Sequence, residues 1–200
     1  MKLFLNKPSP YARLVLVVAH EKGLAERLEL EWTDPWQNLP ALTAANPFSR
    51  VPALVTDDAG VLVDSACICD YLDQLGAGRR LMPEDLPSRV TVLRKLGLAK
   101  TLTDSTFGAV IERRFNPGGE PALAARWLGA ARLALDLFET DSALTRSVKE
   151  PDQGDLALAV ALGYIDFRLQ EIEWRASRQR LSEWFAAMAK RPSMQATPHQ

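Results

Sequence analysis

Cysteine and histidine are almost missing from this chain, with two of each in 200 residues. So few soft ligands leave little from which to build a zinc or iron centre. Cys67 and Cys69 stand two apart in "DSACICDYLD". On a helix that spacing points them to different faces, and it matches neither a Cys-x-x-C redox pair nor a zinc pattern; ordinary buried thiols are expected. A dominant charge is missing too, since 24 Lys and Arg stand against 25 Asp and Glu. With no basic block, the electrostatic footprint of a nucleic-acid binder is absent. No apolar run approaches the roughly 20 residues of a spanning helix. The start, "MKLFLNKPSPYAR", turns to polar residues and prolines before it builds the apolar core of a signal peptide. The expectation is a soluble, cytoplasmic protein with no metal, nucleic-acid or membrane partner.

What is present divides into two halves of different period. "KLFLN" (2–6) reads as a short apolar strand and "YARLVLVVAHEKG" (11–23) as a helix closed by glycine. "LELEW" (28–32) alternates apolar with charged residues, the pattern of a half-buried strand. "VPALVTDDAGVLVDS" reads as two strands joined at the Asp-Asp-Ala-Gly turn, and "SACICDYLDQLG" (65–76) as a helix. After residue 76 the strand signals stop. Helical patterns cover 86–109, 121–138, 156–169 and 181–190. The chain therefore reads as a mixed α/β domain over 1–76, a linker over 77–85, and an all-α domain over 86–200.

The helix "DLALAVALGYIDF" (155–167) is apolar nearly all round for three turns, which places it in the middle of a bundle. Ahead of it, Asp152 and Asp155 stand three apart in "EPDQGDLAL". Each carboxylate can accept from the other residue's N–H, a reciprocal cap worth about 1 kcal/mol, so this pair is read as structural. Ser9, between two prolines, is by the same logic first an N-cap for the helix at Tyr11, with Pro10 at the first helical position.

A small α/β unit, a linker and a helical domain whose central helix starts Asp-x-x-Asp resemble the glutathione S-transferase superfamily. The pieces that carry the resemblance are "SPYARLVLVVAHEKGL", "NPFSRVPALV", "LVDSACICDYLD", "GDLALAVALGYIDFRL" and "KRPSMQAT", in the family's order along essentially the whole chain. Among relatives the chain is most similar to bacterial transferases with a Ser-Pro-(Phe/Tyr)-x-Arg start. The resemblance implies a thioredoxin-like βαβαββα first domain holding glutathione, a variable acceptor pocket against the helices, and a homodimer.

It also implies roles for particular residues. Glutathione offers a thiol, amides around its cysteine, and a γ-glutamyl end bearing an amine and a carboxylate. Ser9 matches the position that faces the sulfur, where a hydroxyl donor and a helix mouth favour the thiolate. Serine cannot form a mixed disulfide, which argues against cysteine-type exchange chemistry. Val51 matches the residue whose backbone pairs with the peptide, held by a cis bond to Pro52. Asp64 and Ser65 match the γ-glutamyl site, Ser65 and the helix N-terminus taking the carboxylate and Asp64 the ammonium. Arg50 is a candidate for the glycyl end. Tyr11, Trp36, Phe107 and Ile111 are candidate walls of a pocket for a flat apolar electrophile, although Phe107 and Ile111 also fit a helical core face. The implied activity is transfer of alkyl or aryl groups to the glutathione thiolate, in detoxification, with glutathione as co-substrate and no metal. Two other readings stay open: an isomerase, dehalogenase or ether-cleaving enzyme on the same site, or a non-catalytic module that contacts another protein.

Overall fold

In a computed structural model the chain divides into two compact units, residues 1–82 with 192–200, and residues 83–191. The structure describes residues 1–58, 60–118, 122–145 and 148–199. Ala59 of the expected hairpin turn and Pro121 at the expected start of the helix over 121–138 lie outside them.

The first unit runs β1 (Lys2–Leu5), α1 (Pro10–Glu21), β2 (Glu29–Trp32), α2 (Pro40–Ala45), β3 (Ala53–Val55), β4 (Val61–Val63) and α3 (Ser65–Leu75). The strands form one mixed sheet in the order β2-β1-β3-β4. β1 pairs parallel with β2, and β3 pairs antiparallel with both β1 and β4. This is the thioredoxin-like βαβαββα arrangement. Leu3, Leu5 and Leu54 of the sheet, Val15, Val17 and Val18 of α1, and Ile68 and Leu72 of α3 are all fully buried. A smaller cluster of Phe4, Leu42 and Ala53 carries α2, and Val51 packs against it. Strand β2 departs from its half-buried pattern, with Leu30 and Trp32 both exposed. It is an edge strand, so its alternation records the pleat without a second layer to cover one face.

A buried ion pair closes this unit. Lys22, at the end of α1, reaches Asp73 of α3 at 3.0 Å, and its ammonium also donates to the Arg79 carbonyl. The Asp73 carboxylate accepts from the N–H groups of Leu81 and Met82 as well. The segment leaving α3 is thereby fastened to the first unit through Met82, beyond the expected boundary at 76. Gly76 is required there, because a Cβ on it would lie 2.5 Å from the Lys22 Cβ.

The chain's end also differs from the expected division. A last short helix, α8 (Pro192–Ala196), belongs to the first unit and not to the helical one. Ser193 donates to Glu21 at one end of α1, and Arg13 donates to the carbonyls of Met194 and Thr197 nearer the other.

The second unit comprises α4 (Leu86–Phe115), α5 (Ala122–Thr140), α6 (Gln153–Arg168) and α7 (Gln179–Met188). Helix α6 is buried without interruption from Gln153 to Leu162. Its capping box is formed: Asp155 N–H donates to Asp152 Oδ1 at 2.9 Å, and Asp152 N–H to Asp155 Oδ2 at 3.0 Å. Beneath both carboxylates sits the buried ammonium of Lys95 from α4, 2.7 Å from Asp152 and 2.5 Å from Asp155. Gly154 permits this approach, since a Cβ there would meet the Lys95 Cβ at 2.8 Å. Burial and the neighbouring Asp152 push the Asp155 carboxyl up to about 6, against the pull of Lys95. Helices α5 and α7 exchange caps in a similar way. The Glu139 carboxylate accepts from the Leu181 and Arg180 N–H groups, while the Arg180 guanidinium donates to the Phe138 and Glu139 carbonyls.

Among the described residues no helix is long and apolar enough to cross a membrane.

Candidate functional site

Strand register alone brings the expected glutathione residues to one edge of the sheet. Phe4 pairs with Ala53 and Ala53 with Val63. The end of β1, the start of β3 and the end of β4 therefore lie side by side. Ser9 follows the first, Val51 precedes the second, and Asp64 and Ser65 follow the third. Three adjacent strands span about 10 Å, close to the length of an extended tripeptide.

Ser9 is buried and caps α1, its Oγ accepting from the Ala12 N–H at 3.2 Å. Pro10 occupies the first helical position. The cap and the thiol role do not compete: a hydroxyl carries one donor and two acceptor sites, and the cap uses only an acceptor. No described residue takes the Ser9 hydroxyl proton.

The loop before β3 is held by a residue that the sequence reading passed over. Asn46, itself buried, accepts from the Phe48 N–H through Oδ1 at 3.1 Å and donates to the Arg50 carbonyl through Nδ2 at 2.9 Å. An Asx turn at "NPF" is a recognisable signal for this brace. Ser49 has φ of 48° and ties the loop to the Pro35 carbonyl at 2.9 Å. The Val51–Pro52 peptide bond is cis. The Val51 N–H and C=O make no hydrogen bond to another described residue, while its side chain packs on Phe4, Leu42 and Ala53. That side chain anchors the loop, a larger part than the sequence reading gave it. Arg50 is exposed.

Asp64 has φ of 70° and ψ of 130°, outside the usual regions for a side-chain-bearing residue. Such a conformation costs on the order of 1–3 kcal/mol and persists where surrounding contacts impose it. It is the N-cap of α3, its Oδ1 accepting from the Ala66 N–H at 2.8 Å. One N–H of the helix mouth is therefore already taken. Ser65 is buried, and neither its N–H nor its hydroxyl is bonded to another described residue. What α3 offers an anion is thus the Ser65 N–H and hydroxyl and the Cys67 N–H, with Asp64 Oδ2 left for a cation.

Of the expected acceptor residues, Tyr11 and Trp36 belong to the first unit and Phe107 and Ile111 to the second. Tyr11 is partly buried in the first turn of α1. Trp36 is exposed, in a 3-10 turn capped by Asp34. Phe107 and Ile111 are partly buried on α4, the Phe107 ring 6.5 Å from that of Tyr164. Asp104, on the same helix, pairs with Lys100 at 3.2 Å. The cysteines part as helical geometry requires: Cys69 is buried, which pushes its thiol up, whereas Cys67 is exposed and corrects the expectation of two buried thiols. Among the described residues no cluster of three His, Cys, Asp or Glu side chains could hold a metal.

Comparison with known proteins follows the same lines. Residues 8–75 match the family described as glutathione S-transferase, N-terminal domain. A glutathione transferase family member from Pseudomonas fluorescens Pf-5, solved with bound glutathione, is 33% identical, aligns over 100% of this chain and 98% of its own, and superposes with a TM-score of 0.92. A second structure of that relative, with bound S-(propanoic acid)-glutathione, aligns over 100% of each chain at 32% identity with a TM-score of 0.88. The uncharacterized GST-like protein YibF of Escherichia coli is 24% identical over 98% of both chains. The chain belongs to the glutathione transferase family.

Proposed function

We propose that this protein is a serine-type glutathione transferase, which binds glutathione along the sheet edge of its first unit and transfers small electrophiles to the bound thiolate. The observation that carries the reading is the agreement between three open polar groups on that edge and three handles on the ligand. The Ser9 hydroxyl proton, the Val51 backbone pair and the Ser65 N–H and hydroxyl have no partner among the described residues, although Ser9 and Ser65 are buried. A ligand that bonds all three uses donors and acceptors that the fold leaves open.

In this reading Val51 pairs with the cysteinyl amide group like one rung of an antiparallel ladder. Ser65 and the start of α3 receive the γ-glutamyl carboxylate, Asp64 the ammonium, and Arg50 the glycyl carboxylate. Ser9 donates to the sulfur at the mouth of α1, where the helix N-terminus also favours the anion. An ordinary thiol near pKa 8.5 is mostly protonated at neutral pH, and each unit of depression corresponds to about 1.4 kcal/mol. The thiolate then attacks an electrophilic carbon, whose leaving group departs with the bonding pair. Serine at this position gives no route to an enzyme–glutathione disulfide. Tyr11 and Trp36 are the proposed acceptor contacts on the first unit. The relative with a bound S-substituted glutathione supports conjugation over simple storage of the tripeptide.

The protein acts as a cytoplasmic homodimer in this account. Leu86, Val90 and Leu93 form an exposed apolar stripe on α4 at helical spacing, and Phe48 is exposed on the first unit; a second copy would cover such surface. The test is glutathione conjugation to an activated aryl chloride by wild type and Ser9→Ala. The expected result is turnover that falls at least about tenfold in Ser9→Ala while glutathione still binds. Equal turnover in the two proteins would remove Ser9 from the chemistry.

A further inference from the structure

Arg13 stands out among the charged side chains of the first unit. It lies one turn into α1, four residues after Ser9 and therefore on the same helical face. Side chains on a helix lean toward its N-terminus, so the guanidinium is carried toward the mouth that Ser9 caps. It is partly buried, and its recorded partners are neutral carbonyls: Nε donates to Thr197 at 2.5 Å and Nη2 to Met194 at 3.5 Å. No described carboxylate pairs with it.

The surrounding acids are committed elsewhere. From α3, Asp73 is held by Lys22, Asp70 accepts from Gln74, and Asp64 caps Ala66. Glu21, at the far end of α1, takes the Ser193 hydroxyl. α8, packed along α1, brings no charge of its own, and the titratable side chain beyond it on that segment is His199. Burial without an acidic neighbour lowers the Arg13 guanidinium to about 10, which leaves it cationic at neutral pH. A cation near a helix N-terminus also opposes the helix dipole. Burial and dipole both work against this charge, and nothing in the described chain offsets them.

We infer that Arg13 is a positioning residue for the glutathione thiolate, an uncompensated cation beneath the mouth of α1 whose counter-charge is the ligand's sulfur. Among the described residues of the C-terminal segment, the Met194 and Thr197 carbonyls hold the guanidinium in place without neutralising it. This rests on glutathione binding at Ser9 as proposed above. A unit charge within about 10 Å, at the effective dielectric of a protein surface, moves a titration by about one pH unit.

The experiment follows the ultraviolet absorbance of bound glutathione thiolate against pH in wild type, Arg13→Lys, Arg13→Met, Arg13→Gln and Ser193→Ala, with glutathione affinity measured by calorimetry on each. Lys7, Arg50 and Asp64 are the other charges near the sheet edge, and they are common to all five proteins. Expected is a thiol midpoint about one unit higher in Arg13→Met and Arg13→Gln, near wild type in Arg13→Lys, and unchanged in Ser193→Ala. Gln keeps donors for the two carbonyls, so it separates charge from tether and decides the matter if Arg13→Met does not fold. Unmoved midpoints in the two neutral variants overturn this inference and leave glutathione binding standing. An equal shift in Ser193→Ala also overturns it, because loosening α8 alone would then suffice. Failure of wild type to bind glutathione overturns the inference together with the reading beneath it.

Discussion

Replacing Lys95 by Met tests the energetics of the second unit, and the sign of the effect depends on pH. The Met side chain keeps the apolar stem that packs on Gly154 and removes the ammonium, leaving the Asp152 and Asp155 carboxylates to face each other at the start of a buried helix. The side chains of Lys95 and Asp155 are 3% and 2% exposed, so water cannot replace the lost partner. Breaking a buried pair from one side costs about 3–5 kcal/mol, and that is the expected loss at pH 8. Asp155 titrates at about 6 in the wild-type fold against 3.8 ordinarily, and it rises further without Lys95. A carboxyl raised in the folded state contributes stability that is full below its unfolded value and is lost as pH climbs through the folded value. The Lys95→Met deficit should therefore shrink as pH falls toward about 6, the variant's Asp155 taking up its proton before the wild type's does, and hold level below that. Urea unfolding followed by the fluorescence of Trp174 and Trp184, both buried in this unit, reads it out. A deficit below about 1 kcal/mol at pH 8, or one that grows as pH falls, would refute the reasoning.

Two further predictions concern the first unit. Asp73→Ala strands Lys22 and the N–H groups of Leu81 and Met82, and it should cost about 3–5 kcal/mol by thermal or chemical unfolding; a loss under about 1 kcal/mol would show the pair to be dispensable. Asn46→Ala removes both braces on the loop that presents Val51. At about 1 kcal/mol for each bond, glutathione affinity should fall roughly ten- to thirtyfold by calorimetry, with unchanged affinity as the contrary result.

Much of this architecture was legible because its signals are local. The four strands, α1 and α3 of the first unit each carry their own period or breaker, and the Asp152–Asp155 box needs only a spacing of three. The N-cap at Ser9 and the start of α3 at Ser65 were readable for the same reason. What escaped reading spans long separations. Lys95 lies 57 and 60 residues from its two carboxylates. Arg13 finds its carbonyls more than 180 residues away, so the membership of α8 in the first unit has no sequence period to announce it. Edge position in a sheet is likewise a tertiary property, which is why the alternation in "LELEW" did not foretell the exposure of Leu30 and Trp32. The exact use of the α3 mouth was hidden as well: Asp64 and Ser65 share it, and only the geometry assigns the Ala66 N–H to the carboxylate and leaves Ser65 open.

The central claim is that the open groups on the sheet edge hold glutathione. Calorimetric titration of the purified protein with glutathione, in parallel with Ser65→Ala, addresses it most directly. The account predicts binding in the micromolar to millimolar range. Removing one hydroxyl that bonds a charged carboxylate, worth about 1.5–3 kcal/mol, should weaken it about ten- to a hundredfold in Ser65→Ala. No binding to wild type at millimolar glutathione, or equal affinity in the two proteins, would contradict it.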